Sequence, residues 1–143
     1  MNTAPPSKGV RLVFWAAGIY GLIVVTPLYF LESQFAKQAP PAITHPEFYY
    51  GFAGVTLAWQ LVYLLVASDP ARYRPMMLLG ALGKVLYGTA AEILYAQHRL
   101  AASTFGFSVM DLIFAALFLA SYQQTRASDS SGAGAVQQAT HIR

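Results

Sequence analysis

Residues Asp69 to Gln97 read DPARYRPMMLLGALGKVLYGTAAEILYAQ, a charged turn followed by an apolar run with Lys84 and Glu92 inside it. From Met76 to about Gln97 the run is long enough to cross a bilayer, since a helix of about 20 residues spans the hydrocarbon core. Pro75 suits the first turn of such a helix, where its missing N–H costs nothing. Lys84, Gly88, Glu92 and Tyr95 follow one another in steps of four, four and three and so share one helical face, which Gly80 extends toward the turn. Burying either charge in hydrocarbon costs several kcal/mol unless it meets a partner or water. That face is therefore expected to point into a bundle, leaving Leu79, Leu82, Leu86 and Ile93 for lipid or lateral packing.

Working outward, three further apolar segments accompany this one. Arg11 to Leu31 is longer than a cleaved signal segment and lacks a convincing small-x-small site after it, so it is expected to remain as the first crossing. Gly18 and Gly21 allow another helix to approach closely, and Pro27 is expected to bend its last turns. Glu32 to Glu47 is a loop broken by Pro40-Pro41 and His45-Pro46, in which Glu32 to Ala39 could form a short surface helix with Phe35 dipping into the membrane. Phe48 to Ala67 is the second crossing, with Gly51, Gly54 and Ala58 as a small-residue stripe. Gln60 is its one strongly polar side chain and is expected to bond across to another helix. Phe105 to Tyr122 is the fourth crossing and contains Asp111.

Composition agrees. Of 143 residues 56% are hydrophobic and only 10% are charged, against about 25% charged in a soluble domain. The mean hydropathy is +0.44. The expected fold is all-α: an integral membrane four-helix bundle over residues 11–123, with helices at about 11–31, 48–67, 75–97 and 105–122. Residues 1–10 are expected to be a disordered leader. Residues 124–143 are rich in Ser, Ala, Gly and Gln and offer no apolar face, so they are expected to be a disordered, dispensable cytoplasmic tail. Lys8, Arg11, Arg72, Arg74, Arg126 and Arg143 fall on one side of this topology, and only Lys37 and Arg99 on the other. The basic excess marks the cytoplasmic side, so both termini are expected there.

Several function classes drop out. Zero cysteines exclude disulfides, thiolate metal sites and cysteine nucleophiles. No phosphate-binding glycine loop, zinc-protease motif or serine elbow is present. The histidines lie in loop, link and tail and not inside apolar helices, so no haem or other cofactor is expected. His45 beside Glu47 supplies two candidate ligands without a third, and no metal site is expected. The basic residues lie between apolar segments, which suits topology and not nucleic acid.

The candidate binding residues are Gln60, Lys84, Glu92, Asp111 and Tyr95, with Tyr63 and Tyr87 in support; no catalytic residue is assigned. At about 1.5 Å per residue, Lys84 lies near the bilayer centre, Asp111 slightly outward and Glu92 near the outer boundary. Lys84 and Asp111 are expected to meet, because eight residues of helix hold Glu92 about 12 Å from Lys84.

The segment DPARYRPMMLLGALGKVLYG, with GFAGVTLAWQLVYLL before it, resembles small bacterial four-helix inner-membrane proteins of uncharacterised type, and more distantly DoxX-like four-helix membrane proteins. The likeness covers about the middle half of the chain, and its most specific part is the Asp-Pro-x-Arg-Tyr-Arg-Pro turn leading to a membrane lysine. It implies the four-helix layout and a bacterial inner (plasma) membrane, multi-pass. In those proteins an acidic residue often precedes the lysine; this chain has Gly83 there. The resemblance implies no activity and no catalytic residue. Two function classes stay open. One is a non-enzymatic protein that binds a lipid-like or quinone-like molecule, or a membrane partner protein or second copy, through the polar site. The other is a small membrane enzyme or proton-coupled carrier using Lys84, Glu92 and Asp111.

Overall fold

Pro27 has no N–H to donate and its ring crowds the preceding turn, and the first helix stops there. Helix α1 runs Lys8–Val25 and α2 follows as Leu28–Gln38, joined by tight turns from Tyr29 N–H to Thr26 O and Phe30 N–H to Pro27 O. Helices α3, Pro46–Ser68, α4, Arg74–Ala96, and α5, Ala102–His141, complete the order. The computed structural model describes residues 8–38 and 43–141, and among them every regular element is a helix. Helices α1, α3, α4 and the Ala102–Ala127 part of α5 are long and apolar enough to cross a membrane.

Several boundaries differ from expectation. Proline breaks the first segment outright, so 11–31 is not one helix. The short helix α2 begins at Leu28, ahead of the expected Glu32. The last helix does not stop at Tyr122: its backbone is helical through residues 124–141, which were expected to be disordered. No proline follows Pro75 in the chain, so nothing in the backbone interrupts the i to i−4 ladder, and Ala, Gln and Arg all favour helix. Thr125 and Ser121 are buried, and the Thr125 hydroxyl donates to Ser121 O at 2.8 Å. Helix α1 starts at Lys8, inside the expected leader; residues 1–7 and the Pro40-Pro41 step lie outside the described residues.

The helices pair as α1 with α3 and α4 with α5, and contacts between α1 and α5 and between α3 and α4 close the bundle. The largest cluster of buried apolar side chains sits at the end that holds the start of α1 and the α3–α4 turn, here called the first end. Phe118 is fully buried there, stacked on Phe14 at 4.2 Å between centroids and edge-on to Tyr63 at 4.9 Å. Val10, Val66, Met77 and Ala81 fill the space around them. Arg11 fastens this end. Its Nε donates to Ala67 O at 3.0 Å and its Nη2 to Ser68 O at 2.6 Å, satisfying carbonyls that α3 leaves unpaired at its C-terminus.

At the second end α2 is tied to α3. Tyr49 donates to Leu28 O at 2.7 Å and Tyr50 to the Glu32 carboxylate at 2.8 Å, while Phe35 lies against the Tyr49 ring at 6.3 Å. Helix α4 ends in a Schellman closure, with Arg99 N–H to Leu94 O, His98 N–H to Tyr95 O and His98 at φ 56°.

Close approach of α1 and α3 depends on glycine, as expected for Gly18 and Gly21. A Cβ on Gly18 would lie 2.6 Å from Leu64 Cδ2, and one on Gly21 would overlap the Gln60 carboxamide. Gly21→Ala is therefore expected to cost about 1–3 kcal/mol by overpacking, and Gln60→Ala in the same chain should recover most of it. Equal thermal shifts in detergent for Gly21→Ala with and without Gln60→Ala would count against this seam. The other small-residue stripe behaves differently: Gly51 and Ala58 are exposed, and α3 turns Ala53, Gln60, Tyr63 and Val66 inward instead. Leu79, Leu82, Leu86 and Ile93 face outward as expected, each about half exposed.

Candidate functional site

Helices α4 and α5 run antiparallel, and their contacts form a ladder. Tyr95 stacks on Phe105 at 4.1 Å. One turn inward the Ser108 hydroxyl lies 3.0 Å from Glu92 Oε1 and 2.7 Å from Phe105 O. Next comes Gly88, where a Cβ would stand 2.6 Å from Leu112 Cδ2. The missing side chain lets the two backbones close up. One turn further Lys84 Nζ donates to Asp111 Oδ1 at 2.5 Å. The expected meeting of Lys84 and Asp111 is thus present.

The pair sits in a largely apolar, aromatic setting. The side chain of Lys84 is 10% exposed and that of Asp111 24%. The ammonium lies 5.5 Å from the ring centroids of both Tyr63 and Phe114, within the range of cation–π attraction. Tyr20, Tyr63 and Tyr87 lie within electrostatic reach of the Asp111 carboxylate. Four helices therefore contribute: Tyr20 from α1, Tyr63 from α3, Lys84 and Tyr87 from α4, and Asp111 and Phe114 from α5. An ammonium has three N–H donors. Asp111 takes one, and among the described residues no acceptor takes the others. Asp111 Oδ2 is likewise without a hydrogen bond there. The arrangement can offer two N–H donors and a carboxylate oxygen to a polar group arriving between the helices.

The other candidates fall elsewhere. Glu92 is on the same seam but is held by Ser108, not by Lys84. Tyr95 is 39% exposed and committed to its stack with Phe105. Gln60 is buried in the α1–α3 seam: its Nε2 donates to Thr56 O of its own helix at 2.8 Å, and Oε1 is buried with no hydrogen bond. The expected bond across to another helix is not made, because Gly21 presents only Cα hydrogens to that oxygen. His45 and Glu47 pair with each other at 3.2 Å on the surface, and no group of three metal-ligating side chains occurs among the described residues.

Ser108 and Tyr20 were not anticipated. Ser108 stands three residues before Asp111 and so shares its face of α5, a spacing that pointed to it. Tyr20 reaches the pair from α1 through helix arrangement alone, for which the sequence holds no local signal. Compared with family models, curated proteins and solved structures, the chain matches none.

Proposed function

We propose that the chain is a small multi-pass membrane protein that binds a lipid-like or quinone-like molecule through the polar site centred on Lys84 and Asp111. The observation that carries this is the surplus of hydrogen-bonding capacity at a mostly buried pair: two N–H groups on Lys84 and one oxygen on Asp111, ringed by Tyr20, Tyr63, Tyr87 and Phe114. A carbonyl on an otherwise apolar molecule complements those donors, and the rings complement its flat or aliphatic body. The full chain in detergent should bind a short-chain benzoquinone or co-purify with a carbonyl-bearing lipid. Lys84→Met with Asp111→Leu should weaken that binding at least tenfold. Equal binding by both proteins, or none by either, would overturn the proposal.

A second reading, a proton-coupled carrier or membrane enzyme using Lys84, Glu92 and Asp111, draws support from one observation. Ser108, in contact with Glu92, is a single turn from Asp111, so the three ionisable groups lie along one seam.

The orientation follows from charge. Lys8, Arg11, Arg72, Arg74 and Arg126 fall at the first end and Lys37 and Arg99 at the second, which supports a bacterial inner membrane with the first end, and both termini, in the cytoplasm. A reporter fused after Gln123 should be active in its cytoplasmic form; activity only in the periplasm would reverse the assignment.

A further inference from the structure

The hydrogen-bonding groups left open at Lys84 and Asp111 are of two kinds. An ammonium carries three N–H donors, and a carboxylate accepts on both oxygens. Lys84 Nζ spends one donor on Asp111 Oδ1 at 2.5 Å. Among the described residues nothing takes the other two, and nothing donates to Asp111 Oδ2. There the one side-chain polar atom that is both sealed and unpaired is Gln60 Oε1, so Asp111 Oδ2 keeps an open surface. The site therefore presents two donors and one acceptor.

The surroundings set the body and charge of what can bind. On α5, Phe118, Phe114, Asp111 and Phe107 stand at steps of three and four and share one face. The three phenylalanines are 0%, 7% and 47% exposed in that order, and the Asp111 side chain falls between the last two at 24%. On α3, Val66, Tyr63 and Phe52 are 0%, 4% and 45% exposed. The pair thus lies where the tightly packed half of the bundle gives way to a looser one. Lys84 is ten residues from the start of α4 at Arg74, or about 15 Å, half of the roughly 30 Å core of a bilayer. Lys84 and Asp111 already balance each other, so a charged ligand would bring an unmatched charge to that depth, at high cost.

We infer that the site selects an uncharged apolar alcohol or phenol over a carbonyl or ether of the same shape, and that Asp111 Oδ2 is the group that reads the hydroxyl. A hydroxyl has one donor and two lone pairs. Its O–H meets Oδ2 while its oxygen accepts both free N–H groups, so a single group satisfies all three. A carbonyl or an ether accepts equally well but donates nothing, and it leaves a carboxylate oxygen unpaired beneath the bound molecule. This selectivity rests on the binding at Lys84 and Asp111 proposed above.

The test is isothermal titration calorimetry of the full chain in detergent with tetramethylphenol, its methyl ether and tetramethylbenzoquinone. The phenol should bind at least about tenfold more tightly than either of the other two, which only accept. Lys84→Met with Asp111→Leu should bind all three weakly and alike, which isolates binding at the pair from uptake by the micelle. If the parent binds all three equally and more tightly than that double variant, the hydroxyl is not read; the selectivity is overturned and the binding site stands. If the parent binds none of them better than the double variant does, both are overturned. Asp111→Asn supplies the second arm, because a carboxamide that keeps its oxygen on Lys84 presents N–H donors in place of Oδ2. Its preference for the phenol should vanish or reverse toward the quinone. A folded Asp111→Asn protein, of unchanged helicity, that keeps the full preference would show that Oδ2 does not receive the hydroxyl. The comparison of ligands on the parent needs no substitution, so it decides the matter even where Asp111→Asn fails to fold.

Discussion

Lys84→Met should cost about 3–5 kcal/mol of bundle stability, and adding Asp111→Leu should return much of it. The single change removes the ammonium that donates to Asp111 at 2.5 Å and strands a carboxylate whose side chain is only 24% exposed. A buried charge without its partner is far more costly than no charge at all, whereas replacing both members of a buried pair by apolar residues is often neutral. Steric-trap or thermal unfolding of the four proteins in detergent measures the coupling. Strictly additive losses would mean that the two side chains do not meet. If the double variant folds as well as the parent but no longer binds an apolar carbonyl compound, the pair serves binding as well as packing.

The second large effect is expected at Phe118. Its ring is fully buried, stacked on Phe14 of α1, edge-on to Tyr63 of α3, and close enough to α4 that a Cβ on Gly80 would lie 3.3 Å from it. Phe118→Ala therefore opens a cavity where four helices converge, at a cost of about 3–5 kcal/mol. Leu117→Ala, one residue away but 40% exposed, should cost well under half as much. Similar losses for the two would show that burial at the first end is not what holds the bundle together.

How much of this was legible in the chain depends on the length scale of the signal. Crossing segments are set by runs of some twenty apolar residues, and those runs are plain from Arg11 onward. Lys84 and Asp111 were legible as partners because two charges at similar depth have few other solutions. The outward-facing leucines of α4 followed from the same face argument in reverse. What failed was finer. Pro27 was expected to bend a helix, but the two tight turns that follow it end α1 altogether. The stripe of Gly51, Gly54 and Ala58 had the spacing of a packing face, yet only Gly54 meets a neighbour, Tyr29 of α2, while the main contacts of α3 lie on the side of Ala53 and Gln60. Small residues permit contact without demanding it. Glu92 and Tyr95 lay on the correct face but too near the end of α4 to reach the pair, and their actual partners, Ser108 and Phe105, depend on the register of an antiparallel ladder. The helical backbone of α5 beyond Tyr122 was not legible, because a stretch without an apolar face leaves no periodic signal to read.

The pairing of Lys84 with Asp111 also imposes an order in time. The two residues are 27 positions apart in the chain, and at roughly 5–20 residues per second of synthesis the lysine leaves the ribosome about 1–5 seconds before its carboxylate does. During that interval α4 is a helix with an uncompensated cation at its middle, poorly suited to being released into lipid. In a bilayer, α4 would be best delivered together with α5, the two entering already joined. Helix α1, whose glycines demand no such escort, is free to go ahead alone and wait for α3.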